Sequence, residues 1–142
     1  MLSQRGRYGL RALIQLAKVA NGRLVTAAEL AGQVGAPVKF LEAVLQDLKR
    51  QGLLTSTRGV HGGYSLPRQP QDISLGEVVR AIDGPLDASP CIFEAWPTPC
   101  PGCVDIATCK VHPALAELKA ASDAVLARWT LKSAAEAQAL AI

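Results

Sequence analysis

The sequence predicts a mainly helical chain with one small β-hairpin, followed by a cysteine-bearing loop and a further long helix. Three observations carry this: three amphipathic helical stretches in the first 50 residues, a glycine-rich RGVHGGY turn between two short runs that read as strands, and four cysteines confined to residues 91–109. A β-hairpin directly after a helix-turn-helix is a wing, so the first 70 residues read as a winged helix-turn-helix.

The first helix runs from about Ser3 to Ala20. Leu10, Leu13, Ile14 and Ala17 lie at i, i+3, i+4 and i+7, which makes one apolar face and leaves Arg7, Arg11 and Lys18 off it. Asn21-Gly22 ends it. Thr26 and Glu29 form a T-x-x-E capping box that opens a short helix stopping at Gly35. Pro37 suits a first helical position, and the third helix follows with Leu41, Val44, Leu45 and Leu48 inward. Its outer face presents Lys39, Glu42, Ala43 and Gln46. LLTST and YSL are the two strands of the wing. Arg58 stands at the base of the turn, in reach of a phosphate or a narrow minor groove, and Gly59, Gly62 and Gly63 let backbone approach DNA closely.

Residues 67–73, PRQPQDI, form a proline-rich connector. Ser74 and Glu77 make a second capping box for a helix with Leu75, Val78, Val79 and Ile82 on its apolar face, stopped by Gly84-Pro85. From Pro85 to His112 no helical or strand period is present, and six of the nine prolines fall between Pro85 and Pro113. An irregular stretch of this length inside a small protein needs something to order it. Pro113 then opens a long helix with Leu115, Leu118, Ser122, Val125 and Trp129 at helical spacing, a stripe suited to the same helix of a second chain in a two-fold dimer, with packing back on its own domain as the alternative. The tail after Trp129 reads as a short helix without evident chemistry.

Charge is divided unevenly. Residues 1–70 hold ten Lys/Arg against three Asp/Glu, a surplus of +7, whereas residues 71–142 hold five against nine, a balance of −4. A basic first half suits double-stranded DNA, whose phosphates dominate non-specific affinity. Arg11, Gln15 and Lys18 interrupt any signal-peptide core, and no apolar run approaches the ~18 residues of a membrane span. A cytoplasmic protein without membrane association or small-molecule substrate is expected. No catalytic constellation is evident either, so it is not expected to be an enzyme.

In a reducing compartment, clustered cysteines point to metal binding or redox sensing rather than to structural disulfides. Cys91, Cys100, Cys103, Cys109 and His112 supply five donors. Zinc fits C-x2-C-x5-C-x2-H without Cys91, and an iron-sulfur cluster takes about four ligands that are mostly thiolates. A thioredoxin-like dithiol at Cys100 and Cys103 lacks its βαβ setting. At the N-cap of the long helix, His112 would hold a cluster near the positive end of the helix dipole.

The order of helix, helix-turn-helix, RG-x-x-GGY wing, SLGEVV-x-AI-x-G helix, cysteine loop, C-x2-H and long helix resembles the IscR and NsrR superfamily of winged-helix transcription regulators, from about Leu2 to Trp129. The resemblance implies a DNA-binding homodimer, acting as a repressor on palindromic half-sites, with a [2Fe-2S] cluster favoured over [4Fe-4S]. It implies a cluster held by Cys91, Cys103, Cys109 and His112, and divides the chain into a DNA-binding domain (1–70), a connector helix (71–84), a cluster loop (85–112) and a dimerisation helix with tail (113–142). The interval from Cys91 to Cys103 is longer than in the IscR branch, and Cys100 within it is additional, so a four-cysteine set stays open behind the histidine one. The nitric-oxide-sensing branch takes a carboxylate from the first helix, and SQRGRYGLRAL contains none. DNA contacts implied by the resemblance are Lys39, Phe40, Glu42, Arg58 and Gly59, supported by Ser3, with Glu42 reading cytosine amino groups. A zinc-stabilised regulator and a small redox or electron-transfer protein are the alternatives.

Overall fold

The structure is a computed structural model that describes residues 2–19, 22–86, 89–93 and 96–138. Asn21, the expected helix stop, and the last four residues of the tail lie outside these, and the first helix already ends at Lys18, with Val19 extended at its C-cap. Six helices and one hairpin are present among the described residues: α1 (Gln4–Lys18), α2 (Ala27–Val34), α3 (Val38–Arg50), β1 (Thr55–Thr57), β2 (Gly63–Ser65), α4 (Leu75–Asp83), α5 (His112–Arg128) and α6 (Leu131–Glu136). Short 3-10 turns occupy Pro70–Asp72 and Pro90–Ile92. The mainly helical class with a small β-wing is therefore the observed one.

Local signals set the helix ends. Ser3 caps α1 by accepting the N–H of Gly6 at 2.9 Å, and Thr26 and Glu29 form the full reciprocal box of α2. Gly35 ends α2 in the left-handed region at φ +71°, which a glycine reaches without Cβ strain. Pro37 is the cap of α3 and not its first helical residue, because its ψ of 132° is extended. Pro113 is likewise second in α5, since His112 is already helical and Val111 holds the cap position. At α4 only half of the expected box forms: Ser74 accepts the N–H of Glu77 at 3.1 Å, while the Glu77 carboxylate pairs with Arg68.

One core joins these elements. Leu13 of α1, Leu30 of α2, Leu41, Leu45 and Leu48 of α3, Leu53, Ile73, Val78 of α4 and Leu131 of α6 are all buried in it. Each such leucine contributes about 2 kcal/mol by leaving water. The stripe of α3 faces this core as its spacing requires. Close packing of α1 depends on glycines: a Cβ on Gly9 would lie 2.3 Å from Cδ1 of Ile82, and one on Gly6 2.3 Å from a carboxylate oxygen of Asp83. The tail is not idle, because Leu131 is fully buried and α6 packs on α1.

Helix α5 differs from the rest. It has no buried residue, and Val111, Leu118, Val125 and Trp129 are substantially exposed. It touches the body through α4 and the Pro90–Ile92 turn, with Leu126 against Gly76. No helix among the described residues is long and apolar enough to cross a membrane.

Candidate DNA-binding face and cysteine loop

Lys39, Glu42, Ala43 and Gln46 are exposed together on α3, because the buried stripe of Leu41, Val44, Leu45 and Leu48 turns that face outward. The wing stands beside it. β1 and β2 are antiparallel, pairing Thr55 with Ser65, Ser56 with Tyr64 and Thr57 with Gly63. Two side-chain bonds fix the wing to α3: Gln46 Nε2 donates to Tyr64 Oη at 3.2 Å, and Lys49 Nζ donates to Ser56 Oγ at 2.7 Å. Val25 adds a bridge, its N–H donating to Tyr64 O at 3.0 Å and its carbonyl oxygen accepting the Tyr64 N–H at 2.8 Å. α3 and the wing thus form one surface.

The wing glycines divide by role. Gly59 has φ +112° with open space where a side chain would go, and Arg58, Gly59, Val60 and His61 are all exposed. Gly62 and Gly63 face the chain itself: a Cβ on Gly62 would lie 2.2 Å from Thr57 O, and one on Gly63 2.8 Å from Val25 O. Their small size serves the turn and the Val25 bridge. Phe40 is half-buried and packs edge-on against Tyr8, ring centroids 5.8 Å apart at 74°. Ser3 spends its hydroxyl and N–H within the fold, on Gly6 and on Asp83. Val60, 97% exposed at the wing tip, escaped the sequence reading because a lone valine in a glycine-rich turn carries no pattern.

The loop after α4 brings the cysteines toward the start of α5. All four are free thiols, with Cys91 buried and the other three half-exposed. Cys100-Pro101-Gly102-Cys103 is a tight turn in which the Cys103 N–H donates to Cys100 O at 2.9 Å, with Gly102 at φ +87°. Proline second and glycine third are the residues such a turn requires. Ser89 Oγ lies 2.9 Å from Cys100 Sγ and accepts from Cys91 Sγ at 3.6 Å. Cys109 ends a turn from Ile106, its N–H donating at 3.1 Å, and its own carbonyl accepts the His112 N–H at 3.3 Å. Ser89 is a further residue that sequence reasoning missed, since it belongs to no ligand spacing.

Electrostatics distinguishes the thiols. The Ser89 hydroxyl, chiefly, holds the Cys100 thiol below its ordinary value. The backbone N–H groups of Val111 and His112 hold Cys109 down, as the amino end of α5 stabilises a thiolate. Cys103 is pushed up, first by its hydrogen bond to Cys109. Among the described residues no three His, Cys, Asp or Glu side chains are gathered as a ready metal site. The donor chemistry nevertheless suits a soft metal or an iron-sulfur cluster: several thiols in one loop, two of them biased toward thiolate. His112 lines a groove between the Pro90–Ile92 turn and α5 that also includes Cys91, Ala116 and Ala120.

The sequence profile of the Rrf2 family, described as an iron-dependent transcriptional regulator, matches residues 2–137. The chain belongs to the Rrf2 family. An Rrf2-like HTH-type transcriptional regulator of Rhodobacter capsulatus is 40% identical over 121 residues, which are 83% of this chain and 81% of that protein. IscR of Escherichia coli O1:K1 is 33% identical over 90 residues, 63% of this chain and 56% of that protein. The chain thus spans little more than half the length of its IscR relatives. Among solved structures, CymR, the global cysteine regulator of B. subtilis, superposes with a TM-score of 0.78 at 27% identity, covering 98% of each chain. IscR of T. potens gives 0.73 at 27%, covering 98% of this chain and 93% of that one. This Rrf2 protein is accordingly a winged-helix, DNA-binding transcription regulator and not an enzyme.

Proposed function

We propose that this chain is a homodimeric regulator, a repressor on palindromic DNA, whose operator affinity is set by an iron-sulfur cluster on the loop of residues 85–112. The observation that carries this reading is the placement of the loop. Its first end leaves α4 at Asp83, which is bonded to Ser3 of α1, and its last end feeds Cys109 into the start of α5. A loop anchored to the DNA-binding core at one end and to the exposed helix at the other relates their positions to its own order.

On DNA, Lys39 meets phosphate and Glu42 accepts from cytosine amino groups in the major groove, while Arg58 and Gly59 follow the backbone or minor groove. Phe40 supports the start of α3 through Tyr8. Val111, Leu118 and Val125 recur every seven residues and stay exposed, the spacing that buries one helix along a partner. Two copies related by a two-fold then present their wings to half-sites about one helical turn apart.

Cys91, Cys103 and Cys109 take the three thiolate positions of the family's pattern, and the fourth falls to His112 or Cys100. The cluster, when bound, supplies a link among these thiols that oxidation or nitric oxide alters. Residues 85–112 would then favour one packing of α4 and α5 when tied together and another when released, which shifts DNA affinity only to the extent that the two packings bind DNA differently. Anaerobic purification with iron and sulfide analysis and a visible spectrum tests this reading. Iron, sulfide and thiolate-to-iron absorption are expected, and a colourless zinc-loaded protein refutes the cluster in favour of a zinc staple.

A further inference from the structure

Five donors compete for four places, and the loop distinguishes between them. Side-chain contacts and one tight turn link three of the four cysteines. Cys91 Sγ donates to Ser89 Oγ at 3.6 Å, and the same hydroxyl lies 2.9 Å from Cys100 Sγ. Cys100 is then joined to Cys103 by the Pro101-Gly102 turn, closed by the 2.9 Å backbone bond. Such a turn holds its first and fourth Cα atoms within about 7 Å, so the two thiols start from neighbouring positions. His112 is attached differently: its backbone N–H serves Cys109, and with Cys91, Ala116 and Ala120 it lines the groove between the Pro90–Ile92 turn and α5.

From this arrangement we infer that Cys100 is the fourth ligand, giving a four-thiolate set of Cys91, Cys100, Cys103 and Cys109, with His112 serving the packing of α5. The inference rests on the cluster reading above and specifies its ligands. The lengthened interval between Cys91 and Cys103 acquires a purpose: it accommodates the proline-glycine turn that delivers a second thiol beside Cys103. Four thiolates are also the ordinary complement of both [2Fe-2S] and [4Fe-4S] centres. Ser89 acts as a positioning residue, holding Cys91 and Cys100 on one side of the loop.

The test uses the full chain loaded anaerobically with iron and sulfide, as wild type, Cys100→Ser and His112→Ala. Pulsed paramagnetic resonance of the reduced wild-type cluster is expected to show no strongly coupled histidine nitrogen. His112→Ala keeps its iron and sulfide, whereas Cys100→Ser loses most of both or acquires a nitrogen coupling as His112 takes the vacated place. A histidine nitrogen on the wild-type cluster, or a Cys100→Ser protein with unchanged metal content and spectrum, overturns the assignment. The wild-type measurement needs no variant, so a fold lost in His112→Ala does not obscure it. Should the wild type take up zinc but no iron and sulfide, the cluster reading fails separately, and X-ray absorption of the zinc protein still decides the ligands. Four sulfurs support Cys100; three sulfurs and one nitrogen, or no metal bound at all, exclude it.

Discussion

Asp83, the last residue of α4, receives both hydrogen bonds that Ser3 has to give, one from its backbone N–H at 2.8 Å and one from its hydroxyl. The pair joins the first turn of α1 to the point where the chain enters the cysteine loop. Gly6 lies directly beneath, with its Cβ position 2.3 Å from the Asp83 carboxylate. Asp83→Ala is expected to cost about 1 kcal/mol in denaturant unfolding, the ordinary value of hydrogen bonds near the surface. Gly6→Ala costs roughly 1–3 kcal/mol by crowding, and less in the Asp83→Ala background because the obstructing carboxylate is gone. Additive costs would show that the two residues do not meet.

The wing makes a prediction on DNA. Arg58→Ala should weaken operator binding and lower the slope of log affinity against log salt by about one, as for the loss of one phosphate contact. Equal affinity and slope in titrations at several salt concentrations would remove Arg58 from the interface. Substituting Gly63 with alanine instead disturbs the wing itself, through the Val25 carbonyl, and should lower stability as well as binding.

In metal-free protein the thiols should differ in reactivity. With Cys100 and Cys109 held below the ordinary thiol range and Cys103 above it, more thiolate is present at the first two near pH 7. Alkylation mapped by mass spectrometry is therefore expected at Cys100 and Cys109 before Cys103, with Cys91, 5% exposed, slowest for want of access. Modification of Cys103 first would contradict the arrangement at the start of α5.

The α2 capping box has a pH signature. Thr26 hydrogen bonds and, more weakly, Arg23 hold the Glu29 carboxyl below its usual range. A carboxylate depressed in the folded state stabilises the protein above the unfolded-state value of about 4.3, and that contribution disappears as pH falls through the lower folded value. Glu29→Gln should thus remove part of the acid sensitivity of unfolding. Thr26→Ala should cost about 1 kcal/mol at neutral pH.

The proposed dimer is tested on α5. Leu118 is 55% exposed on an otherwise unburied helix, so Leu118→Glu should leave the chain folded while sedimentation shifts toward the monomer. An unchanged dimer would place the two-fold contact elsewhere.

The winged helix was legible because its determinants are local. Capping at Thr26 and Glu29, the i, i+3, i+4 stripe of α3 and the glycine-rich turn each act within a few residues. Departures arise where distant groups intervene. Arg68 draws Glu77 out of its capping box, and pairing of Tyr64 with Val25 gives Gly63 a structural task. Leu131 reads as tail in sequence and becomes core only by meeting α1. At the loop, the cysteine spacing singled out candidate donors, whereas Ser89 entered through tertiary proximity alone.

The central claim is that the loop's cluster controls DNA binding. Its most direct test is an operator titration at fixed salt with anaerobically loaded protein and with the same preparation after cluster removal. The account predicts salt-sensitive binding whose affinity differs by at least about tenfold between the two states, a coupling of about 1.4 kcal/mol. Identical affinity in both states would contradict it.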